Sequence, residues 1–195
     1  MTTTAPTTTG TDGQSLADGA AGVALLHIER ARTGQGSWAA AHALITQAAT
    51  APIDAGDHTG LYYGAPAVTF MLHTANTDSR PRYTSALTNL DHHLTRLTRR
   101  RVAASLSRIS TGTPARFDEY DLFYGLVGIG ALLHVRRPDD NAFGDVLRYL
   151  VLLTRPYRQD GVELPGWWVP HDPDPTLPTP GGHANFGMAH GAAGI

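Results

Sequence analysis

Leu122-Phe-Tyr-Gly125-Leu-Val-Gly128-Ile-Gly-Ala-Leu-Leu-His134 is the stretch whose reading decides the fold. An apolar residue, two spacers, a glycine, two more spacers and a small residue lead into an apolar run. The same phrase stands as Leu16-Ala-Asp-Gly19-Ala-Ala-Gly22 before Val-Ala-Leu-Leu-His27. It returns as Leu61-Tyr-Tyr-Gly64-Ala-Pro-Ala67 before Val-Thr-Phe-Met-Leu-His73, and again as Met188-Ala-His-Gly191-Ala-Ala-Gly194. Gly19, Gly64, Gly125 and Gly191 lie 45, 61 and 66 residues apart, the spacing of a repeated supersecondary unit.

Each phrase predicts a helix that begins in a glycine-rich turn. Asp18, Asp121 and His190 stand at or just before a start, where a polar side chain can meet unpaired backbone N–H groups. Glycines three apart share a helix face and admit another backbone close by, at a cost in helix propensity. The apolar runs bury such a helix nearly all round, as an inner layer requires. Between the copies there is room for more amphipathic outer helices at 38–49, 83–109 and 142–154, the second with Leu87, Leu90, Leu94 and Leu97 on one face. Period-2 alternation is nearly absent, so few strands are expected, and 155–182 reads as a proline-rich connection. Helical hairpins of this kind must stack into a solenoid or close into a ring.

Composition narrows the function. The 195 residues contain no cysteine, which excludes a disulfide scaffold, a thiol nucleophile and a cysteine-ligated metal built from this chain alone. All 15 positive charges are arginine, against 17 Asp+Glu, so the net charge of −2 gives no reason to expect nucleic acid as partner. No segment reaches the roughly 20 apolar residues of a membrane span. Residues 1–14, rich in Thr, Pro and Gly, read as a disordered tail and not a signal peptide, which makes a cytoplasmic location the expectation.

The repeats, with Glu119-Tyr-Asp121-Leu-Phe-Tyr-Gly125-Leu-Val-Gly128, Leu164-Pro-Gly-Trp-Trp168-Val-Pro170 and Asn185-Phe-Gly-Met-Ala-His190-Gly191-Ala-Ala-Gly194, resemble the lanthionine synthetase C-like (lanthipeptide cyclase) family over residues 15–195. The resemblance implies an all-α fold, an α/α toroid of inner and outer helices with its active site at one mouth. It implies an enzyme that adds a peptide cysteine thiol to dehydroalanine or dehydrobutyrine, forming a thioether ring in a modified precursor peptide made with dehydratase partners. It also implies zinc, held by two cysteines and a histidine, with an acid/base Asp and His that carry over to Asp121 and His190. Family members are about twice as long, and their zinc ligands belong to later repeats. The expectation is therefore an incomplete ring, the N-terminal part of a cyclase, with no metal ligand in this chain and no cyclisation by it alone. The alternative is a non-catalytic helical-repeat module that binds a peptide or protein; a glycosidase-like or terpene-cyclase-like toroid would want paired carboxylates beyond the Asp118, Glu119 and Asp121 cluster.

Imidazole suits proton delivery to the α-carbon near neutral pH, and a carboxylate beside it can hold its tautomer or accept the thiol proton. Trp167, Trp168 and Asn185 are candidate substrate-binding residues. His27, His73 and His134 recur at one repeat position and read as packing or hydrogen-bonding sites. His171, Asp172, Asp174 and His183 read as a solvated loop, and Arg96, Arg99, Arg100, Arg101 and Arg108 as a solvated helix face.

Overall fold

The computed structural model describes residues 12–76, 80–172, 174 and 176–195. Seven α-helices dominate: α1 (Ala20–Arg32), α2 (Trp38–Ala48), α3 (Ala65–Ala75), α4 (Thr84–Ser110), the single turn α5 (Phe117–Tyr120), α6 (Leu126–Arg136) and α7 (Asn141–Leu153). They form three hairpins in sequence order: α1 with α2, α3 with α4, and α6 with α7. The inner helices touch in series, α1 on α3 and α3 on α6, and α4 runs along α7.

The expected division between inner and outer helices is clear for α3 but not for α1, which buries only Ala20, Ala21, Ala24 and Ile28 and leaves Val23 and Leu26 exposed. Ala65, Ala67, Val68, Thr69, Met71, Leu72 and Ala75 bury α3 nearly all round. By contrast α7 buries one stripe, Ala142, Val146, Tyr149 and Leu153, at helical spacing. Leu87, Leu90, Leu94 and Leu97 are all buried along α4. Side-chain caps start two of the outer helices, Ser37 Oγ accepting from Ala40 N–H and Asp140 Oδ1 from Ala142 N–H.

The glycine phrases make the turns that precede the inner helices. In the three phrases that have a second glycine (Ala67 stands there in the other), that glycine packs on the carbonyl of the phrase's own leading residue. A Cβ on Gly22 would lie 2.2 Å from Leu16 O, on Gly128 2.0 Å from Leu122 O, and on Gly194 2.5 Å from Met188 O. The close approach anticipated for these glycines is thus made by the chain folding back on itself. Successive turns are then stitched edge to edge: Leu16 N–H donates to Tyr62 O at 2.9 Å, Tyr62 N–H to Phe123 O at 3.2 Å, and Leu122 N–H to Ala189 O at 2.9 Å.

Four features depart from the sequence reading. The stretch taken as a connection forms two short antiparallel hairpins, β1 (Tyr157–Gln159) with β2 (Val162–Leu164), and β3 (Val169–His171) with β4 (Pro178–His183). Asp160 and Gly161, both at positive φ, make the tight turn of the first, an Asp-Gly signal for a two-residue hairpin loop. The arginines of α4 are not all solvated. Arg96, Arg99 and Arg100 are exposed as expected, Arg100 in a surface pair with Asp57, but Arg101 is half-buried and Arg108 reaches Glu119 with a two-bond fork at 2.6 and 2.8 Å. Of the expected tail, residues 1–11 lie outside the described residues, while Asp12–Gln14 is a 3-10 turn. Gln14 is buried, bonded to Pro52 O and Asp54 N–H, because its amide satisfies backbone groups of the loop before α3. Finally, His73 is half-buried whereas His134 is exposed, so the recurring histidines do not share one environment. Among the described residues no helix is long and apolar enough to cross a membrane.

Candidate functional site

Asp121 and His190 meet at the junction of the third and fourth turns. Each lies one residue outside the Leu122–Ala189 hydrogen bond, so the stitching of adjacent turns brings together side chains 69 positions apart. His190 Nδ1 lies 2.7 Å from Asp121 Oδ2. The other carboxylate oxygen accepts Tyr124 N–H at 2.7 Å and Gly125 N–H at 2.8 Å, closing the turn that leads into α6, whose own N-cap, Gly125, has no side-chain cap. Turn closure and pairing are therefore both performed by one residue, each with its own oxygen, and the helix cap expected of Asp121 is not made. A carboxylate only accepts, so Nδ1 carries the proton and Nε2 is the ring's remaining site. The Asp121 side chain is 1% exposed and that of His190 27%, so the carboxylate is sealed and the imidazole is reachable.

Aromatic rings frame the pair. Phe123 and Phe117 lie 5.1 and 5.9 Å from the His190 ring. Phe117 also meets His171 edge-on at 5.4 Å and His183 at 5.6 Å. His171 is buried, not solvated as the loop reading expected, because β3 lays it against Phe117; Asp172 and Asp174 are exposed. Behind the pair, Tyr120 O–H donates to Trp167 O at 3.0 Å and to His190 O at 3.4 Å. Burial pushes that hydroxyl well above its usual range, with Asp121 and Glu119 adding to the effect, so Tyr120 acts as a neutral donor. Tyr149, buried and donating to Glu119 Oε1, is pushed up in the same way.

The phrases Tyr-Asp-x-x-x-Gly-x-x-Gly and Ala-His-Gly thus meet at one place, on turns stitched in register. Residues 10–195 match the model of the lanthionine synthetase C-like protein family. The chain belongs to that family. A search of curated proteins finds no match.

The other candidates are less central in this lanthionine synthetase C-like chain. Trp167 is half-buried beside Phe186 and lines an apolar groove with Leu147, Leu150, Val151, Ala192 and Ile195. Trp168 stacks over Gly182, where a Cβ would fall 1.7 Å from its ring. Asn185 uses its side-chain oxygen on Gly187 N–H at 2.7 Å and its carbonyl on Ala192 N–H, shaping the turn that carries His190. The zinc that the family implies finds no fit here. The chain has no cysteine, and no group of three or more His, Asp or Glu among the described residues is placed to hold a metal ion. Phe117, Phe123 and Arg101 belong to the site's surroundings; Phe123 occupies a spacer position of the repeated phrase, and Phe117 and Arg101 lie outside any motif that could have announced them.

Proposed function

We propose that the hairpins form part of an α/α toroid and that Asp121 and His190 are the proton-transfer pair of a lanthipeptide cyclase-type addition. The observation that carries this reading is the 2.7 Å Asp121–His190 contact, with the carboxylate sealed and the imidazole open. In the reaction a peptide cysteine S–H adds across the double bond of dehydroalanine or dehydrobutyrine. The sulfur bonds to the β-carbon, the double-bond electron pair passes to the α-carbon and its carbonyl as an enolate, and a proton then joins the α-carbon. No atom is lost.

The geometry divides the labour. Both oxygens of Asp121 are engaged, so the carboxylate is a holder and not the base that receives the thiol proton. It keeps the proton of His190 on Nδ1 and stabilises the imidazolium while that form lasts. His190 Nε2 is the group that takes the S–H proton and returns it to the α-carbon. Trp167 and the apolar groove beside it offer a surface for the peptide's apolar side chains. Metal activation of the thiol is assigned to residues outside this chain, since those present do not fit zinc, and no step here passes through a metal.

Titration of the isotope-labelled protein with a dehydrated, cysteine-containing precursor peptide tests the reading. His190 and Phe123 resonances should shift saturably, H190N should weaken the response several-fold, and free thiol, counted by maleimide labelling, should persist. Binding equally tight to the undehydrated peptide and indifferent to H190N would favour a non-catalytic peptide-binding module. Catalysed loss of thiol by the chain alone would overturn the assignment of metal activation to other residues.

A further inference from the structure

We infer that Arg101, in the middle of α4, is a positioning residue for the Asp121–His190 pair. The inference rests on the proton-transfer reading above. The Arg101 side chain pairs with no carboxylate among the described residues. Its donors go instead to three backbone carbonyls: Nη1 to Thr59 O at 3.0 Å and to Tyr124 O in a short bond, and Nη2 to Asp118 O at 2.5 Å. Asp118 and Tyr124 bracket Asp121 by three residues on either side. The Tyr124 peptide is held at both ends, its N–H on Asp121 Oδ1 and the next carbonyl oxygen on Arg101.

The third carbonyl extends the clamp across the junction. Thr59 precedes Gly60, whose missing Cβ would fall 2.4 Å from Tyr124 Cα. A single guanidinium therefore fixes the segment carrying Asp121 and its neighbour in the preceding repeat. Burial opposes the charge of Arg101 and lowers its pKa, and Asp118 and Asp121 are among the groups that partly offset this. Arg101 is half-buried, and a partly desolvated cation without a paired carboxylate is a costly device unless its geometry is used. The planar fork reaches three carbonyls in fixed directions, which an ammonium group cannot reproduce.

The test separates position from charge and from bulk stability. In labelled protein, the Nδ1 proton of His190 held on Asp121 gives a downfield imidazole N–H resonance, and ring nitrogen couplings report which nitrogen carries it. R101K keeps the charge and loses the fork; R101M loses both. Positioning requires both folded variants to lose that resonance and to shift the Tyr124 and Gly125 amides. Retention of the resonance in R101K overturns the inference, whether R101M loses it (a charge effect) or keeps it (no role).

R136M serves as the stability control. It breaks the buried Arg136–Asp91 pair one helix length away, about 16 Å along α6, and should lower the melting temperature while keeping the His190 resonance. Should R101M not fold, R101K and its two amide signals decide alone. Failure of the peptide titration in the native chain would remove the catalytic reading and leave this structural result standing.

Discussion

The junction between the second and third turns and the one between the third and fourth share a backbone and differ in chemistry. Both are closed by a turn-to-turn hydrogen bond, Tyr62 N–H to Phe123 O and Leu122 N–H to Ala189 O. In each, the residue before the leading leucine faces the residue before the next phrase's glycine. At one junction these are Gly60 and Tyr124, in backbone contact; at the other they are Asp121 and His190, in side-chain contact. The equivalent positions of the first junction hold Ser15 and Tyr63. The repeat thus offers the same pair of places at every junction, and two residue choices turn one of them into an Asp–His pair.

The largest expected effect breaks the inert junction. G60A would put a Cβ 2.4 Å from Tyr124 Cα and 2.6 Å from Phe123 O, both backbone, so neither can yield cheaply. We expect a loss of about 3 kcal/mol or more in urea unfolding, at the upper end of overpacking costs. G144A, on the exposed face of α7 with nothing within 4 Å of the added carbon, should instead stabilise by up to about 1 kcal/mol. A G60A variant as stable as the native chain would mean that the two turns are not in backbone contact in solution.

Next comes the Asp121–His190 junction, where turn closure and pairing can be separated. D121A leaves the Tyr124 and Gly125 N–H groups and His190 without their acceptor, and should cost about 3 kcal/mol. H190A removes one bond from a carboxylate that keeps two backbone donors, and should cost about 1 kcal/mol. Chemical denaturation of both variants checks the asymmetry. Equal losses would show that the two turn bonds contribute nothing beyond the pair.

How much of this was legible follows from what each feature depends on. Glycine phrases and apolar runs are local, so the inner helices, the outer helices and the turns bearing Asp121 and His190 could be read directly. That the two turns meet in register could not be read, because backbone hydrogen bonds such as Leu122 to Ala189 leave no mark on residue identity. Arg101 was taken for part of a solvated face for the same reason: its partners are carbonyls. Arg108 had a partner of the right charge, Glu119, but nothing local distinguished that pair from the other arginines. The Asp160-Gly161 turn was visible in the chain and was outweighed by its proline-rich surroundings.

The smallest effect concerns a second Asp–His pair, which sharpens the comparison by being local. His58 Nε2 lies 2.8 Å from Asp54 Oδ2, four residues apart in one loop, with the histidine 67% exposed. Asp54 resembles Asp121 in using its other oxygen on a backbone donor, Gly56 N–H at 2.9 Å. That bond is the chief cause holding the Asp54 carboxyl below its usual range; burial opposes it and His58 assists it. A folded-state value below the unfolded one means that ionised Asp54 stabilises the fold above about pH 4. The contribution is lost as pH falls through the folded value, when both states become protonated. D54N keeps an acceptor oxygen and loses only the charge, so it should be less stable than the native chain by about 1 kcal/mol at pH 7, the difference between a charge-assisted and an ordinary hydrogen bond. The two should converge in melting temperature as pH drops below about 4. H58A should change little at either pH, because an exposed pair four residues apart is worth at most a few tenths of a kcal/mol. A constant gap between D54N and the native chain across that range would mean that the Asp54 side chain acts through shape alone. The local pair would then share only its residue types with the junction pair, whose acceptor is sealed and whose partner arrives from another repeat.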